Sequence, residues 1–282
     1  MVKVKINCPS CAKFGMIEVE ENIIKNSKRG VAAVNVTQDL ICEHSFIAYI
    51  DRNFQLRDCF ISDFTVELPE METKIKVDMM EIPDLENIDV YLITINIAAQ
   101  TMANLLRCGF NKKKVVYITN SEAVQKHLSN FYNFIFKETF TIDIDIINRE
   151  NYGKNKKKYK DYVIFDHNRI IQDKDKIMKP KEMKIENVII QKFLAEEYPS
   201  TSLIIIKNEI IKAFELSKEV IEFNNNLKEN EEFTSKRILD HFINTIHIHV
   251  GRDYLDFLTN IVENYFNVKL SKSSHVSDFL GY

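Results

Sequence analysis

Two short stretches, thirty residues apart, constrain the start of this chain more than any other feature does. Cys8-Pro9-Ser10-Cys11 is a C-x2-C knuckle, and Cys42-Glu43-His44 supplies a second close pair. Zinc takes four soft or borderline ligands in a tetrahedron, and two turn-borne pairs meeting at one point commonly present them. Thiolates at Cys8, Cys11 and Cys42 with a neutral imidazole at His44 make a Cys3His set. All four protein positions are then filled, so a structural Zn2+ is expected, its affinity large enough to decide whether a small β module folds. A one-residue spacer in the second pair demands a particular turn, and Cys59 is the alternative to His44 as fourth ligand. C-P-x-C is also a thiol–disulfide motif, but that chemistry places the first thiol at a helix N-terminus. Here Ala12-Lys13-Phe14-Gly15 leads into the strand-like Met16 to Val19, which speaks against redox chemistry.

Glycine usage excludes much of the rest. The six glycines stand at 15, 30, 109, 153, 251 and 281, none closer than fifteen residues to the next. A Walker loop, a dinucleotide-binding loop and a serine-hydrolase elbow each need closely spaced glycines, because the backbone must turn tightly or approach a ligand. None can be drawn on this chain. Hydrophobic residues make up 45% of the 282, enough to bury real cores, and a net charge of −3 gives no global attraction for polyanions. The N-terminus has no apolar segment of the signal-peptide kind, and no apolar run approaches the ~20 residues that span a bilayer. A soluble, cytoplasmic protein with reduced thiols is expected.

The predicted organisation is α+β and multidomain: a zinc-ribbon-like β module over 1–70, an α/β sheet domain over 71–182 and a helical region over 183–282. In the first, Met16 to Val19, Val31 to Val36 and Ser45 to Asp51 read as strands, and Phe60 to Leu68 alternates with period 2. The acidic stretch from Glu70 to Glu86 reads as a link. In the second, Val90 to Ile95, Val115 to Thr119, Thr139 to Ile147 and Tyr162 to Phe165 read as strands. Between them lie a helix closing at Gly109 and another capped by Ser121, with Val124, Leu128, Phe131 and Ile135 on one face. In the third, Ile185 to Glu197 and Leu203 to Phe223 are helices separated by Pro199. Asn224 to Asn226 opens a linker, Thr234 or Ser235 caps a further helix, and the pattern continues past a bend at Gly251.

Cys8-Pro-Ser-Cys11 and Ile41-Cys42-Glu-His44-Ser45-Phe46, with Val31 to Val36 ahead of the second pair and Tyr49 to Phe54 after it, resemble an uncharacterised family of archaeal zinc-ribbon proteins. The resemblance covers about a fifth of the chain. It implies zinc at Cys8, Cys11, Cys42 and His44, a ribbon-like module and an archaeal cytoplasm, and implies nothing for residues 72–282.

Other residues carry thinner signals. His247 and His249 point some 200° apart on a helix, and His241 and His247 miss the i, i+4 relation of helical metal sites, so helix-surface histidines are expected. Lys112 to Lys114 and the cluster Lys154, Lys156, Lys157 and Lys158 offer phosphate contacts, with Tyr152, Tyr159 and Tyr162 for base stacking. Lysines in turns are ordinarily just solvated. Thr94, Asn96, Thr119, Asn120 and Ser121 lie at expected strand ends, where open sheets bind ligands, although polar residues cap strands in any case. Asp143 and Asp145 share a strand face and read as exposed polar positions, with cation binding or acid–base work as the alternative. The leading expectation is a non-catalytic protein acting through protein–protein contacts. A nucleic-acid-binding regulator, and a nucleotide sensor or motif-less enzyme using the strand ends, are the alternatives.

Overall fold

The computed structural model describes residues 1–27, 30–37, 40–61, 68–69, 87–228 and 231–270. The chain begins with an antiparallel hairpin of β1 (Val2–Asn7) and β2 (Phe14–Val19), in register from Val2↔Val19 to Asn7↔Phe14. Val4 and Ile6 alternate with Lys3 and Lys5, so one face of the hairpin is apolar and buried while the other meets solvent. A short α1 (Glu21–Lys25) leads to a meander of β3 (Val31–Val36), β4 (Phe46–Asp51) and β5 (Leu56–Ile61), paired antiparallel in that order. The β4–β5 turn is held by Asp51, whose Oδ1 accepts from the backbone N–H of Asn53 and Gln55. Of the alternating stretch expected over Phe60 to Leu68, Phe60 and Ile61 end β5, and 62–67 lie outside the described residues, as does the acidic link from 70 to 86.

The second region opens with α2 (Val90–Asn96) and α3 (Ala99–Phe110), then β6 (Lys114–Ile118), α4 (Glu122–Phe136), β7 (Asp143–Ile147), α5 (Arg149–Asn155), β8 (Val163–Asp166) and β9 (Arg169–Gln172). The sheet order is β7-β6-β8-β9, with the first three strands parallel and β9 antiparallel at the edge. Both faces of β6 are buried: Val115 and Tyr117 enter the main core, while Val116 and Ile118 meet a smaller cluster with Tyr159 and Ile164. The helices α6 (Lys184–Ala195), α7 (Pro199–Asn225), α8 (Ser235–Ile246) and α9 (Arg252–Asn264) complete the α+β chain. Pro199 starts α7 within its first turn, where its missing N–H costs nothing. Ser121 and Thr234 cap α4 and α8 by accepting from the N–H of Val124 and Arg237.

Three local expectations are corrected. Val90 to Ile95 is a helix, because Asp89 caps it by accepting from Leu92 N–H and its apolar side packs beside α4. A compact apolar run of that length does not itself distinguish a strand from a buried helical turn. The strand expected over Thr139 to Ile147 is confined to Asp143–Ile147. Gly109 lies within α3, where it makes room for a ring: a Cβ there would sit 2.7 Å from Phe136 Cζ. The core is continuous from Tyr49 and Phe60, through α3, α4 and the sheet, to α6, α7 and α9. Among the described residues no helix is long and apolar enough to cross a membrane.

Candidate metal centre

The first ligand pair sits in the turn of the β1–β2 hairpin. Pairing stops at Asn7↔Phe14, and residues 8–13 fold back on themselves: Cys8 N–H donates to Lys13 O at 2.7 Å and Ala12 N–H to Cys8 O at 3.0 Å. Ala12 takes a left-handed φ of 58° to close this loop. Ser10 N–H points at Cys8 Sγ from 3.3 Å, the backbone N–H-to-sulfur contact expected of a thiolate held in a knuckle. No helix follows Cys11, as the sequence led us to expect; β2 begins at Phe14.

The second pair lies between β3 and β4. Ile41 packs directly on the hairpin, and a Cβ at Gly15 would stand 3.1 Å from Ile41 Cγ1. Glycine at that position therefore lets the second loop close over the first and carries Cys42 into place. His44 presents Nδ1 to Cys42 Sγ at 3.6 Å. One ligand atom from each of Cys8, Cys11, Cys42 and His44 lies within 4.8 Å of all the others, with Cys8 and Cys42 buried and Cys11 exposed. In a tetrahedral thiolate–imidazole site, bonds of about 2.3 Å to sulfur and about 2.0 Å to nitrogen put neighbouring ligand atoms roughly 3.5–3.8 Å apart. The donor types fit, the Cys42–His44 separation of 3.6 Å matches, and every other separation is at most 4.8 Å, so the cluster could hold a metal ion.

Electrostatics around the sulfurs point the same way. Burial opposes ionisation of Cys8, but hydrogen bonds from the Cys11 and Ser10 backbone and from the Cys42 and Cys11 thiols outweigh it and lower its pKa. Cys42 is pushed up to about 11, by burial first and then by the neighbouring sulfurs, against the His44 backbone. Three sulfurs crowded together cannot all ionise unless a cation offsets their mutual repulsion, which a bound divalent ion does. Cys59 stands on β5 opposite Ala48, and its pKa is raised to about 11, mainly by burial. It is not among the four residues whose ligand atoms converge.

The other expected positions are spread over the molecule. Thr94 and Asn96 are on α2, not at a strand end, and their side chains bond back to the helix carbonyls of Val90 and Leu92. Thr119, Asn120 and Ser121 do follow β6. Thr119 is buried, Asn120 Oδ1 accepts from Arg149 N–H, and Ser121 caps α4. Lys154 pairs with Glu150 at 2.6 Å and Lys158 with Asp145 at 3.1 Å, leaving Lys156 and Lys157 exposed in the turn. Asp143 is likewise paired, with Lys114. Tyr152 stacks on Tyr159, Tyr162 meets Tyr159 edge-on, and Tyr159 is buried. His241 packs on Phe223 beside Glu219, His247 is the left-handed C-cap of α8, and His249 is exposed beyond it.

Two residues that the sequence reading passed over matter to how the regions meet. Asp58 of β5 accepts from the N–H of Ala99 at 2.7 Å and so caps α3, whose own N-cap, Ala98, has no side chain to do it. Arg57 beside it donates through Nε to Asp51 at 2.7 Å. No local pattern announces either, since both partners are far away or across a turn. Compared with known proteins, the chain matches no family model and no curated protein.

Proposed function

We propose that Cys8, Cys11, Cys42 and His44 hold one structural Zn2+, and that the chain is a non-catalytic, intracellular protein of the archaeal zinc-ribbon kind that acts through contact with another protein. The observation that carries this reading is the convergence of four soft donors, from two separate turns, into one group with no ligand position left over. A surface beside the metal centre supports the partner: on the outer face of the hairpin Phe14 is 70% exposed and Met16 56% exposed, where a solvated strand face is ordinarily polar. Elemental analysis of protein purified without added metal should give close to one zinc per chain. Pull-down from native extract should recover a defined partner that is lost with Phe14→Ser/Met16→Ser; metal-free protein with an intact module, or capture indifferent to those substitutions, defeats the proposal.

A second reading, nucleic-acid binding, is favoured by one observation. Lys5 Nζ lies 4.6 Å over the Phe14 ring, and Lys3 and Lys13 are exposed nearby, giving a stacking platform with cations around it. Gel shifts at ~50 and ~200 mM salt separate the two readings, because phosphate contacts weaken steeply over that interval.

A further inference from the structure

A cavity of about 220 Å³ lies where the β module (β1–β5) meets the body formed by α2–α9 and the four-stranded sheet. Residues of β5 line one side and the α2–α3 turn the other, and Ile95, Ile97 and Leu194 give it apolar surface. Ile95 is 62% exposed, an isoleucine left to water on the rim of a concave site that a bound apolar group would cover.

Most of the polar lining is already committed. Thr94 Oγ1 donates to helix carbonyls, and Asn168 accepts from Ala98 N–H while donating to Asn96 O. Asp58 accepts from the N–H of Cys59 and Ala99. Arg57 differs: Nε is bonded to Asp51, and among the described residues its two Nη atoms have no acceptor. A guanidinium with donors to spare beside an apolar wall is complementary to a carboxylate carried on an apolar body. Asp58 in the same lining repels a second negative charge, which selects a monoanion over a phosphate dianion.

We propose that this junction cavity binds a small monocarboxylic acid with an apolar body, its carboxylate on Arg57 and its body against Ile95, Ile97 and Leu194. Such a ligand touches both regions and adds to the stability of their docked state. The inference does not depend on which metal the cysteines hold. To test it, full-length metal-loaded protein with labelled isoleucine δ1 methyls is titrated with phenylacetate, phenethylamine and phenylphosphate. Phenylacetate is expected to shift the Ile95 and Ile97 methyls with a Kd of roughly 1 mM, the amine and the dianion binding about tenfold more weakly or not at all. Arg57→Gln should weaken phenylacetate about tenfold, and Ala33→Phe, which fills the cavity from the β3 side, should remove the shifts at unchanged melting temperature. If phenylacetate moves neither methyl at about 10 mM, if it binds Arg57→Gln as tightly as the parent, or if the amine binds equally well, the proposal fails. Should Arg57→Gln not fold, the filled cavity of Ala33→Phe decides alone.

Discussion

The β module and the helical body reach ordered cores by different routes. Around the metal cluster the module buries short chains such as Val4, Ile6, Ile17, Val19 and Ile24, with Phe46 the one large ring and Cys8 and Cys42 in the same core, whereas its Tyr49 and Phe60 face the core of the body. A core of that size is marginal by itself, and small modules commonly add a staple. The body relies on bulk. Phe110 meets Phe136, Phe140 and Phe257 edge-on at 6.1, 5.2 and 5.1 Å, and Phe140 continues the network to Phe214 and Tyr265. With the proposed metal bound, one region would concentrate its stability in four side chains, while the other spreads it over many.

The sharpest way to break this contrast is to remove the staple. Strong chelation, or Cys42→Ser, should unfold the β module, since apparent metal affinity at such sites is on the order of 10–16 kcal/mol. Hydrogen exchange should show protection lost over β1–β5 and kept over α3, α4 and α7; equal loss in both regions, or none in the module, would contradict the division. The body has no comparable single point. Phe110, which meets three other rings, is fully buried, and Phe110→Ala should cost about 3–5 kcal/mol in denaturant unfolding through the cavity it leaves. The metal content should not change.

A buried ion pair sharpens the account of the body. Arg107 of α3 donates to Glu186 of α6 at 2.9 Å, with side-chain exposures of 4% and 0%. Burial raises the Glu186 pKa in spite of the arginine. Arg107→Met should cost about 3 kcal/mol at pH 7, because the carboxylate then has no cation. The sign with pH follows from linkage: a carboxyl whose folded pKa lies above the unfolded 4.5 binds more protons when folded, so stability falls as pH rises through that window. The deficit of the variant should therefore shrink towards pH 4.5, and thermal melts across pH 4–7 would measure it. A deficit independent of pH would mean that Glu186 is not what Arg107 neutralises.

What could be read in advance follows the locality of the signal. Cys8-x2-Cys11 and Cys42-x-His44 are legible because ligand spacing is local, although their meeting depends on Gly15 accepting Ile41, which no spacing reveals. Ser121 and Thr234 are legible as caps because the N–H that each accepts from lies three residues on. Val90 to Ile95 is misread because its exposed side also carries an apolar residue, Ile95, so the run shows no helical period, and the helix signal lies instead in the Asp89 cap. Val2–Asn7 alternates apolar and polar residues, so this strand is legible in the sequence; α5 has no buried residue and so carries no apolar stripe. Arg107–Glu186 spans 79 positions, and nothing in either helix marks the other.

The tie between the two regions is the smallest effect and the most direct probe of their independence. Asp58 on β5 caps α3 through Ala99 N–H, so a module residue completes a body helix. Asp58→Ala removes that acceptor and should cost about 1 kcal/mol. Burial holds the Asp58 pKa above its ordinary value against the hydrogen bonds from Ala99, Cys59 and Gln100. The folded state therefore keeps this proton to higher pH than the unfolded chain, and the wild type loses stability as pH rises from about 3.8 through the native pKa. Asp58→Asn keeps an oxygen for Ala99 but cannot titrate, so its stability relative to wild type should improve across that window, and Asp58→Ala, which cannot titrate either, should follow in parallel about 1 kcal/mol below Asp58→Asn. Calorimetry on metal-loaded protein would show both trends. If Asp58→Ala shifts the β-module transition and leaves the body untouched, the cap does not hold the regions together and the contrast between them becomes a separation.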